Sequence, residues 1–217
     1  MKYVIFLLEV LASLAGLLVW NRSRPQAIRV ITIMLLFTVL IECYSQFLQF
    51  MPFLKYRLLI YNLFSFVEMG CWFCFYYRIY PSKARRKVIL LLGALYVIFS
   101  VVELSFYRSW LFSFHTDSYR FYSLCIIFLA VLYLWDTMMK KEYHPLNTDA
   151  VFWLSAGGLI FQSVFFIHLS IFNILSFRRD AASVQAFNLL LDIANIVYYT
   201  VICFAFYTSY RLSVKDS

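Results

Sequence analysis

Seven stretches of about twenty apolar residues, separated by short polar connections, fill almost the whole chain. A helix needs roughly 20 apolar residues to cross a bilayer, because each residue adds about 1.5 Å along the axis. The chain is 64% hydrophobic and has a mean hydropathy of +0.78, which is far too apolar for a soluble domain. The sequence therefore predicts an all-α polytopic membrane protein, a single seven-transmembrane-helix bundle with short loops.

The positions of the prolines and the lengths of the connections agree with this division. All four prolines fall in the predicted connections, so none kinks a helix interior. Glu9 and the long apolar run favour a retained first helix over a cleaved signal peptide. No predicted connection is long enough for a soluble catalytic domain. The predicted helices cover residues 3–20, 28–50, 58–77, 88–106, 121–139, 150–172 and 187–210.

The distribution of Lys and Arg predicts an orientation. The first, third and fifth connections and the C-terminal tail carry most of the 19 Lys and Arg residues. Basic connections face the cytoplasm, so we expect the N-terminus outside and the C-terminus inside, in a bacterial cytoplasmic (inner) membrane. The net charge of +8 then indicates contact with anionic membrane lipids, and we expect no nucleic-acid partner.

Polar side chains within the apolar segments are the main indicators of function, since an ionisable group is costly in hydrocarbon. Two segments carry polar residues at offsets of 0, 4, 7 and 11, which places each set on one stripe of a helix. We expect the two stripes to form opposite walls of one polar chamber. The stripes are Thr38, Glu42, Ser45 and Gln49 in the second segment and Asn188, Asp192, Asn195 and Tyr199 in the seventh.

In the predicted orientation, the acids Glu9, Glu42 and Asp192 lie roughly 10 Å from the outer helix ends. We therefore expect a pocket that opens outward and is formed by the first, second, third, sixth and seventh helices. No intramembrane Lys or Arg is available as a counter-ion to these acids, since Arg29 lies at the cytoplasmic end of its segment, which favours a small polar or cationic ligand, or protons. The candidate ligand-binding residues are Glu9, Glu42, Gln46, Asn62, Glu68, His168, Asp192, Asn195 and Tyr199.

The alternative is that these groups only hydrogen-bond across helices and hold the bundle together. Glu103 and Asp136 lie at segment ends, where we expect solvation at the membrane interface. Gly157 and Gly158 belong to a cluster of small residues that predicts a close helix contact.

Motifs for catalysis or metal binding are absent from the sequence. It contains no HExxH pair and no nucleophile elbow. Cys71 and Cys74 form a CxxC spacing, but no zinc partner pair accompanies them. We predict no cofactor, no metal and no catalytic residue.

Two seven-helix or multi-helix families provide comparisons. Microbial rhodopsins are similar in helix number, but they attach retinal to a lysine in the last helix. The only lysine after Lys141 here is Lys215, in the tail, which excludes a retinal pigment. Lysoplasmalogenase-like enzymes are similar in length and carry acids in the membrane, so an intramembrane lipid-modifying enzyme stays open as an alternative, although no local motif of that family is present.

A third resemblance extends over most of the chain. It runs from Glu42 through Asn62 and Glu68, then from Phe152 through Gly158, and on to Asp192, Asn195, Tyr198 and Tyr199. In these landmarks the chain resembles an uncharacterised family of short bacterial seven-transmembrane-helix proteins. The resemblance implies that the protein is encoded near sensor histidine kinases. It therefore implies a histidine kinase or other signalling protein as partner.

The sequence therefore predicts a membrane-embedded sensor or accessory signalling subunit that acts through a partner. A small transporter or a pore-forming effector is a further alternative, and the sequence leaves a homo-oligomer open. Uninterrupted helices and the lack of a detectable inverted repeat count against transport.

Overall fold

The computed structural model describes residues 1–21, 26–48, 57–107, 114–139, 146–177 and 181–215. Within these ranges the chain forms seven α-helices and no β-strand. A π-helical turn, Glu103–Tyr107, continues the fourth helix, and a 3₁₀ turn, Leu146–Thr148, precedes the sixth. The helices are α1 (Lys2–Val19), α2 (Ala27–Leu48), α3 (Arg57–Ile79), α4 (Lys83–Val102), α5 (Thr116–Met138), α6 (Ala150–Phe177) and α7 (Ala181–Lys215).

Six of these helices, α2 to α7, are long and apolar enough to cross a membrane. The apolar part of α1, Tyr3–Val19, is shorter. The all-helical class is as predicted, and the composition and lengths are those of a helical membrane bundle.

The predicted helix boundaries differ mainly at polar ends. Helix α4 begins at Lys83 instead of residue 88, and α7 extends from Ala181 to Lys215 instead of 187–210. Hydropathy marks only the apolar part of each helix. Lys, Arg and Gln are good helix formers, so a helix continues through them into the interface.

The described chain divides into two compact units. Unit 1 comprises Met1–Arg24 and Ser123–Ser217, and unit 2 comprises Pro25–Tyr122. The first two turns of α5 thus belong to unit 2 and the remainder of α5 to unit 1.

In unit 1, α1 and α6 both pack against α7. Gly157 lies where α6 and α7 approach closely, because a Cβ atom there would lie 2.9 Å from Cγ1 of Val201. This close approach confirms the contact predicted from the small-residue cluster. Beside it, the rings of Phe161 and Tyr198 stack with centroids 4.7 Å apart.

In unit 2, α2 packs against α3, and α3 packs against α4. Buried aromatic side chains on α3 form its centre, with the rings of Trp72 and Tyr76 stacked at 5.9 Å and Phe75 edge-on to both. Ile31 and Leu35 present the buried face of α2. Aromatic pairs of this geometry add stabilisation beyond the area that they bury.

Candidate functional site

The richest polar cluster lies in unit 2, around the start of α5. Glu68, on α3, accepts a hydrogen bond from the hydroxyl of Tyr119 at 2.5 Å. The hydroxyl of Tyr122, one turn later on α5, donates to the other carboxylate oxygen at 3.5 Å. Both tyrosines are buried. A carboxylate that an apolar bundle would otherwise exclude is thus bound by two phenol groups of a neighbouring helix.

Glu103, in the π-helical turn after α4, caps the first turn of α5. Its carboxylate accepts hydrogen bonds from the backbone N–H groups of Asp117, at 3.2 Å, and Ser118, at 2.7 Å. It also accepts a hydrogen bond from the Ser118 hydroxyl. Its side chain is only 3% exposed, so the predicted interfacial solvation of Glu103 is wrong. The free N–H groups and the positive end of the dipole at a helix N-terminus favour a carboxylate there, which offsets part of the hydration that it loses.

His115, immediately before α5, joins the cluster from a third direction. Its Nε2 atom lies 2.7 Å from Oγ of Ser65 and 3.3 Å from the hydroxyl of Tyr96. Its backbone N–H donates to Oδ1 of Asn62 at 3.4 Å. The rings of Phe66 and Phe114 lie edge-on and tilted against the imidazole, respectively.

The electrostatics of His115 follow from this enclosure. The residue has no exposed surface, and burial lowers the pKa of its imidazole from 6.5 to about 4. Its Nδ1 atom is buried and makes no hydrogen bond to the residues that the structure describes. The imidazole is therefore neutral at physiological pH.

A separate polar contact joins α2 to α3. The hydroxyl of Tyr61 donates to Glu42 at 2.9 Å and lies 3.1 Å from the hydroxyl of Ser45. Two members of the predicted α2 stripe, Glu42 and Ser45, are thus brought together on one tyrosine. Thr38 donates instead to the carbonyl of Met34 on its own helix.

Two further predicted residues of the second segment lie wholly or in part outside the described residues. Gln46 lies on α2, but its side chain is outside the described residues, and Gln49 is wholly outside them.

The other predicted site residues lie in unit 1. Glu9 and His168 are buried, and Tyr199 is 6% exposed, with its ring 5.2 Å from that of Tyr198. Asn195 donates to the carbonyl of Leu191 on its own helix at 3.0 Å.

The α7 stripe itself is buried only in part. Asn188 is exposed and Asp192 is half-buried. Because the α7 stripe belongs to unit 1 and the α2 stripe to unit 2, the chamber that they would share stays a prediction.

Sequence reasoning did not find several of the residues that form the polar contacts of unit 2. Tyr61, Tyr119 and Tyr122 were hidden among the 17 tyrosines of a strongly aromatic chain. His115 lies in a connection, where a lone histidine carries no periodic signal. One usable signal was that Asp117, Ser118 and Tyr119 open the α5 segment as a polar run directly after that histidine.

What the cluster can do chemically is hold and exchange protons or receive a cation. It contains two carboxylates, a neutral imidazole and five hydroxyl groups within hydrogen-bonding distance of one another or of the α5 backbone. Among the described residues, no group of three His, Cys, Asp or Glu side chains forms a metal site.

No protein-family model matches the chain, and comparisons with curated proteins and with solved structures find no match to either.

Proposed function

We propose that this protein is a membrane-embedded sensor in a bacterial cytoplasmic membrane, with its N-terminus outside. The signal is a proton or a small polar or cationic ligand, and the element that responds is the start of α5. One observation carries this proposal. The first two turns of α5 are held by two carboxylates, Glu68 and Glu103, that come from other parts of unit 2.

The chemistry of these contacts supports a switch. An ionised carboxylate only accepts hydrogen bonds, whereas a protonated one also donates. Protonation of Glu68 would turn one of its oxygens into a donor and so rearrange its hydrogen bonds with Tyr119 and Tyr122. A small cation at the carboxylate would turn both tyrosine hydroxyl protons away from it. Either event changes the contacts that fix α5, which is the differential interaction that a conformational shift needs.

The placement of the cluster supports the direction of signalling. With the N-terminus outside, α5 begins at the outer face and ends at the cytoplasmic face, so a shift of α5 crosses the membrane. Helix α5 is 23 residues long, enough to span the hydrocarbon core. We propose that a partner, a histidine kinase or another signalling protein, receives this movement within a shared lipid environment.

The test measures α5 directly. Hydrogen exchange of the peptide that covers residues 114–122 is followed in lipid nanodiscs at pH 8 and pH 5, after correction for the intrinsic rate. We expect faster exchange at pH 5 in the wild type and fast exchange at both pH values in Glu68→Gln. Arg120→Gln is the matched control, because Arg120 lies in the same turns of α5 and pairs with Asp117, which is exposed. Equal exchange at both pH values in the wild type, with no response to ammonium ligands, would contradict the proposal.

A second candidate, an intramembrane lipid-modifying enzyme, is favoured by one specific observation. Ser65 Oγ lies 2.7 Å from Nε2 of His115, the spacing of a nucleophile and its base. Against it, the Ser65 hydroxyl also donates to the carbonyl of Asn62 at 2.7 Å. Covalent labelling of Ser65 by a fluorophosphonate, abolished in Ser65→Ala, would support the enzyme, and absence of labelling would reject it.

A further inference from the structure

A groove of about 390 Å³ lies in unit 2, away from the α5 cluster, between the first turn of α2, the last turn of α3 and the start of α4. Gln26, Ala27, Tyr77, Arg78 and Arg86 line it. Its volume is within the range of roughly 300–1,000 Å³ that small-molecule sites occupy. Two guanidinium groups therefore face one concave space at one end of the unit.

The two arginines have different surroundings. Arg86 is held in place, because its Nε donates to the carbonyl of Tyr80 at 2.8 Å and its guanidinium lies 5.1 Å from the centroid of the Tyr77 ring. Its Nη donors remain for a ligand. Arg78 is exposed at the end of α3. Neither arginine forms an ion pair with a carboxylate of the described residues.

The charge around the groove is of one sign. The sequence contains no Asp or Glu between Glu9 and Glu42, nor between Glu68 and Glu103, and these two stretches supply every lining residue. Helix α4 also begins one turn before Arg86, and its N-cap residue Ser82 makes no side-chain capping hydrogen bond. The positive end of that helix adds to the field of the arginines.

We infer that this groove binds the phosphate of an anionic lipid headgroup. Two arginines match a phosphate through paired N–H donors better than lysines would. The groove lies where three apolar spans end, at the depth of headgroups, and Tyr77 and Tyr80 are the amphipathic aromatic residues typical of that level. A free phosphate ion would make the same contacts, but only a lipid headgroup accounts for the position of the groove at the ends of spanning helices.

The test titrates phosphatidylglycerol into delipidated full-length protein in detergent and measures the first bound lipid by native mass spectrometry. We expect Arg78→Gln to raise the apparent Kd about tenfold, since a hydrogen bond to a charged group contributes roughly the free energy of a tenfold change in affinity or more. Arg86→Lys keeps the positive charge but loses the planar guanidinium fork, and we expect it to weaken lipid binding as well. Phosphatidylcholine should bind weakly and independently of both arginines.

Lys87→Gln is the matched control, because Lys87 is exposed on the same helix, carries the same charge and does not line the groove. We expect it to weaken binding by no more than about twofold at physiological ionic strength. An equal loss in Lys87→Gln and Arg78→Gln would overturn the inference in favour of diffuse surface charge. If inorganic phosphate protects the protein thermally as well as phosphatidylglycerol does, with the same dependence on Arg78, the headgroup assignment is wrong.

Discussion

The polar residues of unit 2 and those on α7 of unit 1 make different kinds of contact, although the sequence places them in similar patterns. In unit 2, Glu42 and Glu68 are bound by tyrosines of a neighbouring helix, and Glu103 binds the start of α5. On α7 of unit 1, Asn195 binds the carbonyl of Leu191 on its own helix, and Asp192 accepts no hydrogen bond from a described side chain. The same 0, 4, 7, 11 spacing thus gives a cross-helix contact through Glu42 and Ser45 on α2 and a hydrogen bond within the helix at Asn195 on α7.

A polar stripe therefore determines which residues share a helix face, but it does not determine whether that face packs against a hydrogen-bond donor of another helix. Asparagine, serine and threonine can satisfy themselves on the carbonyl one turn back. A carboxylate has no donor and cannot do so. Acids in a bundle therefore depend on what the neighbouring helix offers, and in unit 2 the neighbours offer tyrosine hydroxyls and a helix N-terminus.

The largest expected effect is at Glu103. Glu103→Ala leaves the buried N–H of Ser118, the partly buried N–H of Asp117 and the Ser118 hydroxyl without their acceptor, so we expect a loss of about 4 kcal/mol in the free energy of unfolding. The measurement is SDS-induced unfolding in mixed micelles. Asp117→Ala, an exposed change in the same turn, should cost less than about 1 kcal/mol. Equal costs would mean that Glu103 does not hold α5.

The second effect is a pH dependence that His115 confers. The pKa of His115 is about 4 in the folded protein, below its ordinary value of 6.5. Between these pH values the unfolded chain binds a proton at His115 that the folded chain does not. The free energy of unfolding is therefore highest above pH 6.5, and the His115 contribution to it is lost as the pH falls to 4. The shift corresponds to about 3 kcal/mol.

His115→Gln removes this titration. We expect the difference in unfolding free energy between wild type and His115→Gln to be constant above pH 7 and to change steadily from pH 6.5 to pH 4. A difference that does not vary with pH would show that His115 is accessible to protons in the folded protein. His168 is not altered in this comparison, so it contributes equally to both proteins.

The fold was largely predictable from the sequence because a membrane imposes one dominant constraint. Apolar segments of spanning length must be helical, so the number and approximate position of α1 to α7 follow from hydropathy. The helix ends did not follow, since charged residues such as Lys83 and Arg85 continue a helix beyond its apolar part. The division between two compact units has no signal in the hydropathy pattern.

The candidate site was predictable only in part. Glu42, Asn62 and Glu68 were identified because polar residues are rare in apolar segments, and each lies in a polar contact in unit 2. Their partners Tyr61 and Tyr119 were not identified, because tyrosine occurs throughout the chain and its hydroxyl gives no pattern. The role of Glu103 depends on where α5 begins in space, which no spacing along the chain encodes.

The third effect tests the packing of unit 1 at the contact between α6 and α7. Gly157→Ala places a methyl group 2.9 Å from Val201, and we expect a loss of about 2 kcal/mol from overpacking. Gly70→Ala is the matched control, since nothing lies within 4 Å of a Cβ atom there and alanine is the better helix former. If both variants were equally stable, the close contact between α6 and α7 would not exist.

The most direct measurement of the central claim is a double-mutant cycle that combines Glu68→Leu with Tyr119→Phe. We expect a coupling free energy of about 1 kcal/mol between Glu68 and Tyr119, within the range found for hydrogen bonds between membrane helices. The matched cycle in unit 1, Asp192→Leu with Asn195→Leu, should give a coupling below about 0.3 kcal/mol. A coupling at Glu68 and Tyr119 no larger than that of the α7 pair would contradict the claim that unit 2 acids hold the start of α5.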